Sequence, residues 1–230
     1  MQTRRSFLAG IASTGVLATS ARAEEDGAAA AARLVAAMGG ADAWTRARGL
    51  TIAATHYESD LAQPYDNILW IDLDAPRMRF EGRSAWGMDR TRAVVGDRGW
   101  RVSEVSPLGP MTAQQVKGDL DWWDAHPYRN VRRLALGDAT RRPRLGDGGR
   151  LELVRPDGSI LMWYRQNPAG EPFAFGVGAG PAGVVLGPLA PVPGGARLPI
   201  WSARMDGTFR ATGQKGRVLP TPPQVDWERP

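Results

Sequence analysis

Apolar and polar positions along the chain follow two periods, and the switches between them mark out the elements. From Asp26, "DGAAAAARLVAAMGG" reads as a helix with an acidic N-cap and a glycine pair at its end, where glycine takes a left-handed conformation at little cost. "ADAWTRARG" adds a second, short helical piece. Beyond Gly49 the period falls to two: "LTIAATHYES", "YDNILWIDLD", "RMRFEGRS", "RTRAVVGD" and "GWRVSEVS" are short segments punctuated by Gly, Asp, Pro or Ser, and most are rich in β-branched or aromatic residues. They predict a run of antiparallel strands, with "GDRG" between Val95 and Trp100 as a tight hairpin turn.

The helical period returns at Thr112. Thr112 followed by Gln115 has the spacing of a capping box, and Val116, Leu120 and Trp123 fall four and three residues apart on one helical face. Pro127 cannot continue that helix without losing a hydrogen bond, yet suits the first turn of a new one. The pattern predicts two helical segments, 113–125 and 127–136, with a kink between them, forming an insert of about 112–136 between strands.

Strands then resume with "GRLELVRPDGSILMWYRQN", whose "RPDGS" is a turn in which Pro presets φ and Gly accepts a positive φ. "EPFAFGV" and "ARLPIWSARMDGTFR" follow, separated by a Gly/Pro-rich stretch over about 176–195 that reads as a long loop. The tail "LPTPPQVDWERP" reads as extended chain lying across a sheet edge. The chain contains no internal repeat.

The N-terminus changes what counts as the folded chain. "TRRSFLAG" is a twin-arginine run followed by a short apolar stretch and the small-residue triplet Ala21-Arg22-Ala23, the pattern of an export signal over residues 1–23. Phe7 to Leu17 is too short for a transmembrane helix of about 20 residues. Residues 24–230 are then expected as a single exported, periplasmic domain, since a chain of that length can bury roughly 70% of its unfolded surface in one core. The formal charge of +5 includes Arg4, Arg5 and Arg22, so the part beyond the signal carries +2. That near-neutral balance, together with export, argues against nucleic acid as a partner. Zero cysteines exclude a disulfide framework and thiolate chemistry, and two histidines exclude a histidine-rich metal cage. No cofactor or metal is expected, nor an integral membrane protein, and a monomer is the expected state.

Candidate chemistry is sparse. "GAGPAG" at 178–183 matches G-x-G-x-x-G, but prolines within and after it deny it the following helix that a nucleotide fingerprint needs. His56 and Glu58 share one face near the end of the first strand, without a third metal ligand near them in sequence. Asp121, Asp124 and His126 lie within one and a half helical turns in "DWWDAHPYRNVRR", but no nucleophile motif or paired-carboxylate motif accompanies them. The arginines 129, 132, 133, 141, 142 and 144 read either as a solvated face interspersed with acids or as a site for lipid phosphates or other anionic head groups.

Tryptophan is the signal that exceeds background. There are nine, and several strands are apolar on both faces: Ile68 and Trp70 oppose Leu69 and Ile71, and Ile160 and Met162 oppose Leu161 and Trp163. Two covered faces, or one face lining an apolar cavity, would produce that pattern. The candidate ligand-binding residues are Trp70, Trp122, Trp123, Trp163, Tyr128 and Arg129, with no catalytic residue assigned.

The order of elements carries a resemblance. The helix ending in "AMGG", the short helix "DAWTRA", the strand meander, the kinked helical insert, then "DGSILMWYRQNPAGEP" and "GARLPIWSARMDG" together resemble the LolA/LolB-like half-barrel proteins of the bacterial envelope, over most of residues 28–210. The resemblance implies an α+β, mainly antiparallel fold: a curved, incomplete β-barrel whose concave face is covered by helices, with the 113–136 helices as a lid. It also implies a non-catalytic binding or carrier protein for a lipid, acyl chain or other apolar ligand. Two other classes stay open: a periplasmic hydrolase or other enzyme using His56 and Glu58 or His126 with nearby Asp residues, and an envelope interaction module with no small ligand.

Overall fold

A computed structural model describes residues 26–228; the expected export signal lies outside the described residues. Helix α1 covers residues 26–37 and buries Ala30, Leu34 and Val35, the stripe its alanine-rich sequence sets at helical spacing. Gly39 has φ 112° because the chain turns tightly there, and a Cβ on it would meet the Gly195 carbonyl oxygen at 2.5 Å. Helix α2 (Ala41–Arg46) plugs the core with Trp44, fully buried, its indole N–H donating to the Met38 carbonyl at 3.0 Å.

The strands β1 (Gly49–Glu58), β2 (Tyr65–Asp72), β3 (Arg77–Arg83), β4 (Asp89–Val95), β5 (Arg98–Ser103) and β6 (Ser106–Pro110) form a meander. Helices α3 (Ala113–Asp124) and α4 (Pro127–Ala135) follow. Then come β7 (Arg142–Leu145), β8 (Leu151–Val154), β9 (Ile160–Gln166), β10 (Pro172–Val177), β11 (Val184–Leu186), β12 (Leu189–Pro191), β13 (Arg197–Pro199), β14 (Ser202–Arg204) and β15 (Phe209–Leu219). Thirteen of them make one sheet in the order β6-β5-β4-β3-β2-β1-β15-β14-β11-β10-β9-β8-β7, and β12 pairs with β13 apart from it. The described pairings are antiparallel, and β6 and β7 stand as open edges, so the sheet curves without closing into a barrel. This is the mainly antiparallel α+β half-barrel that the sequence implies.

Register separates the two faces, because paired residues on neighbouring strands present their side chains to the same side. Leu50, Ile71, Met78 and Val94 form one such row and are all nearly inaccessible. Against this concave face lie α3 and α4, anchored by Val116 near Gly99, by the Trp123 indole N–H donating to the Asp72 carbonyl at 2.7 Å, and by the Tyr164 hydroxyl donating to the Pro127 carbonyl at 2.5 Å. The Thr112 capping box forms as expected: its hydroxyl accepts from the Gln115 amide while the Gln115 side chain accepts from the Thr112 amide. The chain restarts at Pro127 in the N1 position.

Two expectations differ from the structure. The stretch 176–195 is not one long loop: its apolar islands form β11 and β12, with Gly183 and Gly187 packed so closely against Phe175 and Trp201 that a Cβ would meet them at 2.3 and 2.4 Å. The tail lies not on an edge but across the outer face, where Arg79 and Trp100 donate to the Asp226 and Trp227 carbonyls at 2.6 and 2.9 Å.

Candidate functional site

Under the lid the concave face stays open. Strands β1–β5 and α3 enclose a cleft of about 600 Å³ walled by His56, Glu58, Tyr65, Arg90, Arg92, Arg101 and, from α3, Gln115 and Asp119. Beneath the α3–α4 junction a second space of about 220 Å³ is walled mainly by Ile52, Leu69, Trp122, Tyr128, Phe175, Val184 and Leu186. The two share His56, Asn67, Phe80 and Phe209 and so adjoin, the outer one with charged walls and the inner one mainly apolar. The larger space is within the roughly 300–1,000 Å³ usual for small-ligand sites.

The tryptophans expected to line one cavity divide. Trp122 does line the inner chamber, its ring 6.3 Å from Phe175 and 5.2 Å from His126. Tyr128 joins it there, stacked 6.4 Å from Trp44 on its other side. Trp123 is committed to packing: Arg129 sits 3.6 Å above its ring and pairs with Asp124 at 3.0 Å, which fastens the lid rather than opening onto the cleft. Trp70 pairs with Thr51 and Arg79, which puts it on the outer face. Trp163 pairs with Glu152 and Gly176 and is also on the outer face, its indole N–H donating to the Gly180 carbonyl at 2.9 Å. The "GAGPAG" segment is therefore the cover of Trp163. On β9 the outer apolar face is covered by the 178–183 segment, whereas on β2 the outer Ile68 stays 38% exposed.

The mouth holds the titratable cluster. His56 Nδ1 lies 3.3 Å from the Tyr65 hydroxyl, which in turn donates to Glu58; Arg90 donates to the same Glu58 oxygen at 3.0 Å and sits 4.5 Å from the centre of the Tyr65 ring. Burial, partly opposed by Glu58, holds the His56 pKa down at about 4. Burial and the bond to Glu58 push Tyr65 up to about 12. At neutral pH His56 is uncharged and Tyr65 keeps its proton. His56 and Glu58 do meet, but only through Tyr65. On α3, Asp119 faces Arg92 at 3.3 Å, with its pKa raised by burial.

His126 is nearly inaccessible, with Nδ1 buried and without a hydrogen-bond partner, and burial drives its pKa to about 3. Asp124 is taken up by Arg129, Arg141 and Arg155, and Asp121 pairs with Lys117 on the exposed side of α3. The carboxylates of "DWWDAHPYRNVRR" thus face away from the histidine. Among the described residues no group of three His, Cys, Asp or Glu side chains has the disposition to hold a metal, and no helix is long and apolar enough to cross a membrane. The arginine-rich segment is absorbed internally: Arg132 pairs with Asp74, Arg133 with Asp138 and Arg144 with Glu152, each at 2.6–2.7 Å. At the cleft itself, Arg101 is an exposed arginine whose side chain has no ion-pair partner among the described residues, and polar-patterned β5 gave no reason to single it out.

No protein-family model and no curated protein matches the chain. Among solved structures it is similar to a LolA superfamily protein from Nitrosomonas europaea, at 11% identity and a TM-score of 0.46, covering 84% of this chain and 93% of that one. It is also similar to a DUF1329 family protein from Desulfovibrio piger, at 10% identity and a TM-score of 0.49, covering 85% of this chain and 93% of the other.

Proposed function

We propose that the protein is an exported, periplasmic, non-catalytic carrier or sensor that holds a lipid, acyl chain or other apolar ligand in the cleft beneath α3 and α4. The observation that supports it is the inner chamber, where apolar side chains from β1, β2, α3, β10 and β11 wall an unfilled space next to a cleft with charged walls. Trp122 and Tyr128 are the ligand contacts within it. Burying an acyl chain there yields about 0.8 kcal/mol per CH₂, enough for binding without specific polar contacts.

The competing readings need features that the geometry does not supply. A hydrolase using His56 or His126 needs a histidine aligned by a carboxylate and facing a nucleophile or water; His56 reaches Glu58 only through Tyr65, and His126 has no carboxylate neighbour among its described contacts. An interaction module without a ligand would have its concavity filled with its own side chains.

Filling the chamber tests the proposal. Val184 lies on its wall and is only half-buried, so Val184→Trp places an indole in the space at an overpacking cost of about 1–3 kcal/mol. Titration with a fluorescent fatty acid should show saturable binding to the unaltered protein and at least a tenfold loss in Val184→Trp. Equal binding by a folded Val184→Trp would put the ligand elsewhere.

A further inference from the structure

One cross-strand row of the concave face changes character from end to end. Ile52, Leu69, Phe80, Arg92 and Arg101 are successive register partners on β1, β2, β3, β4 and β5, so their side chains share one face. Four strand spacings of about 4.8 Å carry the row across roughly 19 Å. Ile52 and Leu69 line the inner chamber, Phe80 lines both spaces, and the two arginines line the mouth. The Arg92 guanidinium packs over the Phe80 ring at 4.3 Å, so charge and apolar surface adjoin.

Two arginines directly opposite one another across a strand pair repel and destabilise the sheet. The neighbouring acids do not neutralise them both. Glu58 is taken by Arg90, and Asp119 reaches Arg92 but not Arg101. Arg101 is exposed, and its side chain has no hydrogen-bond or ion-pair partner among the described residues. The mouth therefore keeps one uncompensated positive charge, next to a second guanidinium, at the end of an apolar track.

We infer that the ligand is an anionic amphiphile, with a carboxylate, phosphate or sulfate head held between Arg92 and Arg101 and a chain lying across the strands over Phe80, Leu69 and Ile52. The inference rests on the carrier function proposed above and specifies its ligand class. Guanidinium groups suit such heads because they donate several charge-assisted hydrogen bonds from a planar fork. The arginine-rich segment 129–144 is a poorer candidate, since its ion pairs are made within the fold.

Calorimetric titration of the full chain with dodecanoate, dodecyl phosphate and dodecan-1-ol at pH 8 separates head from tail. At least one anion should bind tenfold or more tighter than the alcohol. Arg101→Gln should reduce that preference to less than threefold while leaving affinity for the alcohol unchanged. Arg98→Gln, which removes another exposed charge, beside Glu228 of the tail, should leave the preference intact. Alcohol binding as tight as that of both anions, or an undiminished preference in Arg101→Gln, overturns the assignment of the head while the carrier function stands. Failure of all three amphiphiles to bind overturns both.

Discussion

His126 is held between Trp122 and Tyr128 with almost no access to water, and its pKa falls to about 3 because charging the ring there would cost its solvation, with nearby Arg129 adding to the penalty. A histidine whose folded pKa is below its unfolded value binds more protons when unfolded. Its stabilising contribution is thus complete above about pH 6.5 and is lost progressively as pH falls towards 3. At about 1.4 kcal/mol per pH unit, the loss from His126 at pH 5 is about 2 kcal/mol. His126→Phe keeps a ring of similar size without a titrating group, so urea denaturation at pH 7.5 and 5 should show it losing about 2 kcal/mol less than the unaltered protein. Equal losses would mean that water reaches the ring. Sequence flagged this histidine but could not give its role, because its surroundings come from elements distant in the chain. The same limit applies to Trp70 and Trp163. Alternation puts each opposite its strand neighbours, but only register with β1, β3, β8 and β10 shows which face is concave.

The elements with strong local signals were legible at almost their true bounds. Thr112 and Gln115 mark the start of α3, Pro127 restarts the chain as α4, and the Asp157-Gly158 turn joins β8 to β9, since each rests on chemistry within four residues. What escaped were strands defined by their partners. β15 runs for 11 residues between β1 and β14, yet "ATGQKGR" reads as polar because one of its faces is open to water. β7, "RPRL", is an edge strand with a proline, the place where sheets tolerate one. The lid is tied down by an interaction across such elements. Asp124 at the end of α3 holds Arg129 of α4, Arg141 before β7 and Arg155 after β8. Removing its charge leaves Arg129, only 3% exposed, without a counter-ion. Asp124→Asn should therefore destabilise the protein by about 3 kcal/mol, the lower end for a broken buried pair, because Asp124 itself is partly exposed. Chemical denaturation checks this. A change below about 1 kcal/mol, as for a surface pair, would show that the three arginines find other partners.

At the scale of the molecule, the fold divides its labour between two faces of one open sheet. The outer face is covered in part, by the 178–183 segment over Trp163 and by the tail over Arg79 and Trp100. The inner face is also only partly closed, since α3 and α4 span it through Trp123 and Pro127 and leave space beside α3 and beneath the α3–α4 junction. Side chains that could have filled the chamber do not, and the charge at its mouth is unbalanced at Arg101. A carrier accounts for both features. The most direct test is native mass spectrometry, with lipid extraction, of the full chain purified from the envelope of its own cells. A carrier should show a bound species of discrete mass that is released on denaturation, carries an anionic head and is absent from Val184→Trp prepared in parallel. Protein that is consistently ligand-free from its native source, and that takes up no fatty acid in solution, would contradict it.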